Sequence, residues 1–379
     1  MKYYAIDEIK NKKILGRSAG IVEVEGEKVL PLLWAASAVE VKVKSAEVWL
    51  KVSGNYDTHE PWLVVQINGR TVSRIMIPKG ETLSLCIARN LNPEKENLIT
   101  ILKDTQPMPG DNHHSLLIKE IGLADNGEFL PVPERKLKVE FVGDSITSGE
   151  GCTGAVNEWD WITTWMSVSA NYAFKTVKNL DADWSIVSQC GWGICWGWDG
   201  NRHSSLPMHY ENVCSVLSGD YQDSLGVTKK YDFGKGSDFV VVNLGTNDNG
   251  AFFQSPWKDE NGNEYVLSKD KIDRACEKDG LQITEAVKAF LSVIRKNNPS
   301  AKILWVWGMI KLSTVTDYIK LGIAEYKEKT GDDCVYSMEL PAMEDVELTE
   351  DDKGSRGHPG PKTHLLAAEK ITAFIKSMC

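Results

Sequence analysis

The chain has 379 residues, 43 basic against 53 acidic for a formal net charge of −10, with 42% hydrophobic and 25% charged residues. That balance excludes a disordered or fibrous chain. It also argues against a nucleic-acid partner, since phosphate backbones are bound by clustered Lys and Arg that this sequence lacks.

The length is ample for two cores. From the N-terminus, Val39, Val41 and Val43 alternate with polar residues, as do Val48, Leu50 and Val52 and then Leu63, Val65 and Ile67. Period-two alternation predicts half-buried antiparallel strands. Asn68-Gly69 precedes TVSRIMI and predicts a hairpin, because both central residues of such a turn need positive φ. Further strands are expected at Thr82–Ala88, Leu98–Leu102 and Leu116–Leu123, so residues 1–133 read as an all-β sandwich.

The pattern changes at the linker PVPERK (131–136). Strands are expected at Lys136–Val142, Trp184–Ser188, Phe239–Leu244 and Ile303–Trp307. Helices are expected at Ser169–Leu180, around Ile283, Val287, Phe290 and Ile294, at Thr316–Lys329 and at Pro361–Met378. Strand–helix alternation over 134–379 predicts a parallel sheet covered on both faces.

No run approaches about 20 apolar residues, so no membrane span is expected. The start, MKYYAIDEIKNKK, lacks the apolar core of a secretory signal, giving a cytoplasmic expectation, or a secreted one if a leader has been removed. The eight cysteines (86, 152, 190, 195, 214, 276, 334, 379) form no C-x-x-C pair and read as small buried apolar residues of a reducing compartment. No metal and no cofactor are expected.

Four short segments carry chemistry. The strand KVEFV runs into GDSITSGEG, exposing Ser145 on a tight turn where α/β proteins place active sites. DFVVVNL ends in Gly245-Thr246-Asn247-Asp248, where the Asn247 amide can aim at an oxyanion. WSIVSQ ends in Cys190-Gly191-Trp192-Gly193, where Gly191 can offer an unobstructed N–H. GSRGHPGPKTH places His358 just before the last helix as a candidate base. Singly, each is explained as a turn, cap or surface residue. Together they supply a nucleophile, a base and oxyanion donors (the N–H groups of Ser145 and Gly191, and Asn247).

The order Ser, Gly, Asn, His over 134–379, with GDSIT and GTND the specific motifs, resembles the SGNH (GDSL-type) hydrolases. A jelly-roll domain carrying WAASAVEVKVK and joined to FVGDSITSGEG resembles, more narrowly, carbohydrate esterase family 2. The resemblance implies a three-layer, flavodoxin-like α/β domain and removal of O-acetyl groups from plant polysaccharides and their oligosaccharides, without a metal. It makes Ser145 the nucleophile, His358 the base, and Gly191 and Asn247 oxyanion donors. One position departs from most SGNH enzymes: three residues before His358, where an aspartate orients the imidazole, stands Ser355. Another acceptor is then required, with a backbone carbonyl favoured over Ser355, Asp351 and Asp352. Some family members similarly work as a Ser–His dyad. Asp144 is read as a tether of the turn.

Seven of the 13 tryptophans fall between residues 159 and 198. Trp192, Trp196 and Trp198 lie in a Gly-rich stretch and, with Trp257, are candidate sugar-binding rings, since indoles offer a flat apolar face beside a polar N–H. Trp184 and Trp165 are assigned to the core and His364 to the surface. The reading is a serine esterase on acetylated xylan or mannan oligosaccharides. Another small-acyl esterase or thioesterase on the same scaffold, or a carbohydrate-binding protein with a decayed catalytic site, remain the alternatives.

Overall fold

A computed structural model describes residues 1–379. The chain forms two compact units: Met1–Lys136 with Trp161–Ser169 and Glu211–Tyr231, and Leu137–Asp160 with Ala170–Tyr210 and Asp232–Cys379.

The first unit is an antiparallel sandwich of β1 (Lys2–Ala5), β2 (Lys13–Leu15), β3 (Val22–Val24), β4 (Glu27–Pro31), β5 (Ala38–Lys44), β6 (Glu47–Asn55), β7 (Trp62–Ile67), β8 (Arg70–Met76), β9 (Leu83–Arg89), β10 (Asn97–Lys103), β11 (Ser115–Leu123) and β12 (Glu128–Leu130). One sheet runs β3-β4-β11-β6-β9 with β1 on β11, the other β12-β5-β10-β7-β8 with β2 on β5. The inward members of the alternating runs, among them Val39, Val41, Val43, Leu50, Leu63, Val65, Ile99 and Ile118, form one buried core. The Asn68-Gly69 turn has φ of 50° and 78°, as the β7–β8 hairpin requires. The short strands β1–β4 and β12 carry too few alternations to be legible in sequence. Arg135 of PVPERK makes a two-pronged ion pair of 2.8 and 2.9 Å with the fully buried Glu40, so the last residues of this segment are anchored to the sandwich.

The second unit holds β13 (Lys138–Gly143), α1 (Ser145–Ser148), α2 (Tyr172–Leu180) and β14 (Asp183–Ser188). After α3 (Asp220–Ser224), which belongs to the first unit, it continues with β15 (Phe239–Asn243), α4 (Thr246–Ala251), the hairpin β16 (Trp257–Lys258) and β17 (Glu264–Tyr265), α5 (Glu277–Asn297), β18 (Lys302–Trp307), α6 (Thr316–Thr330), β19 (Val335–Glu339) and α7 (Pro361–Met378). The sheet is parallel with order β14-β13-β15-β18-β19, the doubly wound arrangement whose crevice lies where strand order reverses, at β13 and β15. Its central strands are buried on both faces, and β15 (FVVVN) is buried throughout. The edge strand β19 is exposed at alternate positions, and its sequence, VYSME, gave no clear signal.

No helix is long and apolar enough to cross a membrane. All eight cysteines are free thiols, but Cys86, Cys276, Cys334 and Cys379 are exposed, correcting the expectation that they are uniformly buried. His364 is also corrected: it is fully buried in α7, on the stripe with Ala367, Ala368, Ile371 and Ile375. Its Nδ1 accepts from the Tyr172 N–H, and burial pushes its pKa down to about 3, so it is neutral at ordinary pH.

Candidate active site

β14, β13 and β15 lie side by side with Ser188, Gly143 and Asn243 in register, so the segments bearing Gly191, Ser145 and Asn247 leave one edge of the sheet together. Asp144 caps α1, its carboxylate accepting from the Ile146 N–H at 3.1 Å. This is the tether expected of it; burial raises its pKa to about 7. Ser145 is the first residue of α1, a position whose N–H has no intrahelical acceptor.

From the far end of the chain, the loop before α7 brings His358 to Ser145, with Nε2 2.9 Å from Oγ. Nδ1 lies 3.0 Å from the Arg356 main-chain oxygen. A carbonyl can only accept, so Nδ1 carries the proton and neutral Nε2 presents a lone pair to the serine hydroxyl. The acceptor replacing the usual aspartate is thus a backbone carbonyl, as favoured from sequence. Ser355 is fully buried with its hydroxyl 3.4 Å from the Thr153 carbonyl. Asp352 caps a short 3-10 turn through Thr349, and Asp351 is exposed. Gly151 makes the approach possible: at φ 75°, a Cβ there would lie 2.7 Å from His358 Cβ and 2.6 Å from the Ser355 oxygen.

The glycine and asparagine segments are locked to each other. Asn247 Nδ2 donates to the Trp192 carbonyl at 2.8 Å. The next residue, Asp248, fully buried and with its pKa pushed up to about 6 by burial, accepts from the Ile194 and Cys195 N–H groups at 2.7 and 2.8 Å. Gly191 has φ 77° and sits against Trp198, whose Cδ1 would be 3.1 Å from an added Cβ.

The four tryptophans singled out from sequence divide. Trp198 is 53% exposed beside Gly191. Trp192 is half-buried and packs edge-on against His209, and Trp257 is half-buried between His203 and Tyr265. Trp196 is a correction: it is buried, packs against Phe252 and donates its indole N–H to the Asp248 carbonyl, so it braces the loop and cannot present a face to a ligand. Gly-rich surroundings suggested exposure, but tight turns here fold the ring inward.

Sequence reasoning overlooked two features. Trp159, 68% exposed, lines with Val156, Met343, Leu348 and His358 a largely apolar cavity of about 270 Å³. Glu150 is a nearly buried carboxylate five residues after Ser145, with Oε2 3.6 Å from His358 Nε2 and Oε1 2.9 Å from Arg356 Nε. A larger concavity of about 370 Å³ on the sandwich, around Ser53, Ser115, Leu117 and Tyr221, gathers no nucleophile and base. No group of three or more His, Cys, Asp or Glu is arranged to hold a metal ion.

No family model matches the chain. The structure of an acetyl xylan esterase (Est2A) from the rumen bacterium Butyrivibrio proteoclasticus is 36% identical, with a TM-score of 0.91 over 100% of this chain and 99% of that one. The chain belongs to carbohydrate esterase family 2. The fold also matches that of a family two carbohydrate esterase from Clostridium thermocellum, solved in complex with cellohexaose, at a TM-score of 0.76 and 22% identity over 97% of this chain and 98% of that one. Cellulase/esterase CelE of Acetivibrio thermocellus is 25% identical over an alignment of 357 residues that covers 91% of this chain. The family 2 chain spans well under half the length of the curated relatives it matches, 37% in the case of CelE.

Proposed function

We propose that the protein is a serine esterase that removes O-acetyl groups from plant-polysaccharide-derived carbohydrate, such as acetylated xylan or mannan oligosaccharides, through an acyl-enzyme. The observation that carries this reading is the 2.9 Å contact between Ser145 Oγ and His358 Nε2, with the imidazole tautomer fixed from its other side. Ser145 Oγ attacks the acetyl carbonyl carbon while its proton passes to Nε2. Negative charge on the carbonyl oxygen is met by the N–H groups of Ser145 and Gly191 and the Asn247 amide, donors of a kind that each contribute about 2.7–4 kcal/mol in the transition state. Nε2–H then protonates the departing sugar oxygen as the C–O bond breaks. A water enters, gives its proton to Nε2 and attacks the acyl carbon, releasing acetic acid and restoring Ser145.

Acetylated sugar as the substrate class is supported by family membership and by the exposed indoles of Trp198 and Trp159, with Trp192 and Trp257 at the margin. The intact Ser–His contact speaks against a decayed, purely carbohydrate-binding protein. One observation favours a larger acyl group: the apolar cavity of Val156, Trp159, Met343 and Leu348 beside His358. A panel of acetylated xylo- and manno-oligosaccharides followed by NMR, with 4-nitrophenyl acetate and octanoate alongside, tests the reading. Acetate release from the oligosaccharides and strong preference for the acetyl ester are expected. Comparable rates on acetyl and octanoyl esters, with no release from sugar, would defeat the sugar-acetate reading.

A further inference from the structure

We infer that Glu150 and Arg356 form a positioning pair for His358, in which a carboxylate carried on the Ser145 loop holds the arginine whose carbonyl stands in for the aspartate that Ser355 displaces. The inference rests on the Ser145–His358 reading above and adds two residues to it.

Three contacts converge on Arg356. Its N–H donates to the Glu158 carbonyl at 2.9 Å, its Nε to Glu150 Oε1 at 2.9 Å, and its Nη1 to the Trp159 carbonyl. The backbone so held is left-handed, with φ 54°, a conformation that a side-chain-bearing residue keeps only when its surroundings impose it. The group this arrangement fixes is the Arg356 carbonyl, the acceptor of the His358 Nδ1–H. Swinging that carbonyl away would free the ring to change tautomer and turn from Ser145.

Glu150 does more than hold the arginine. Its second oxygen lies 3.6 Å from His358 Nε2, too long for a hydrogen bond but close enough for a charge to act on an imidazolium. The Cys190 thiol, one residue before Gly191, also hydrogen-bonds the Glu150 carboxylate; burial, then this charge and hydrogen bond, hold the thiol well above its usual pKa. One carboxylate thereby touches the serine, glycine and histidine segments. Burying it is tolerable because the guanidinium compensates its charge. Of the other charged or titratable groups around His358, Lys353 and Glu344 line the apolar cavity with it, the Lys353 ammonium paired with Glu350, and His364 from α7 is kept neutral by burial.

The pair has opposite charges, so its two halves have opposite signatures. Glu150→Gln removes the negative charge and leaves the guanidinium uncompensated, disfavouring the imidazolium. The acid limb of kcat/KM for 4-nitrophenyl acetate is expected to move down by about 1 pH unit. kcat is expected to fall about ten- to a hundredfold with KM little changed. Arg356→Gln removes the positive charge and keeps the carboxylate, so its acid limb moves up while kcat also falls. A purely structural role would lower kcat without displacing the limb in opposite directions. Limbs that stay in place, or move the same way, overturn the inference. If one variant fails to fold by circular dichroism, the direction of the other decides. Ser145→Ala separates the two levels of argument: if it abolishes turnover while the limbs of both variants stay put, only the Glu150–Arg356 inference fails. If it keeps the wild-type rate, the dyad reading itself falls.

Discussion

Replacing Ser145 with alanine is expected to lower acetyl-ester hydrolysis by about 10⁵-fold or more, measured as kcat on 4-nitrophenyl acetate, with little change in melting temperature. The loss is large because the proposed acyl-enzyme forms on Ser145, and its neighbours are poor substitutes as nucleophiles. Cys190 is buried with its thiol pKa held well above the usual value, and Thr147 is fully buried with its hydroxyl 2.8 Å from Tyr172. Folding is insensitive because the change removes one oxygen and leaves the Asp144 cap on Ile146 intact.

His358→Ala is expected to cost a similar factor, about 10⁵-fold, and in addition to abolish the acid limb of the pH–rate profile. In the proposed mechanism the imidazole acts in both half-reactions, taking the proton of Ser145 and then of water, so its removal should slow acylation and deacylation together. The residual rate should rise with hydroxide concentration, because serine then ionises unaided. Combining the two substitutions should cost little more than either alone, since residues that act as a unit are not additive in their loss. A double variant slower than both by the product of the single effects would mean that the two side chains act independently.

The segments bearing Ser145, Asn247 and His358 were legible because each borders a strongly patterned element: GDS after KVEFV, GTND after DFVVVNL, GHP before the final helix. Strand order then brings the first two together without further information. The backbone carbonyl behind His358 was inferable only as a class of acceptor, because nothing in a sequence says which carbonyl faces a ring. Glu150 escaped notice for a different reason. A glutamate in a glycine-rich loop reads as solvated, and its partner Arg356 stands 206 residues away. Only folding shows the charge to be buried. His364 carried a usable signal, since its spacing to Ala368, Ile371 and Ile375 places it on the apolar stripe of α7. Trp196 carried none: in GWGICWGWDG three indoles share one composition, and turn geometry alone turns one inward and leaves another exposed.

The acyl-enzyme is the claim on which the rest depends, and mass spectrometry of enzyme quenched in acid during turnover of 4-nitrophenyl acetate reads it directly. The account requires one added acetyl group on the peptide containing Ser145, formed in a burst and lost as substrate is exhausted, and absent from Ser145→Ala. Turnover with Ser145 unmodified at every time point, or the acetyl group on another residue under the same conditions, would contradict it.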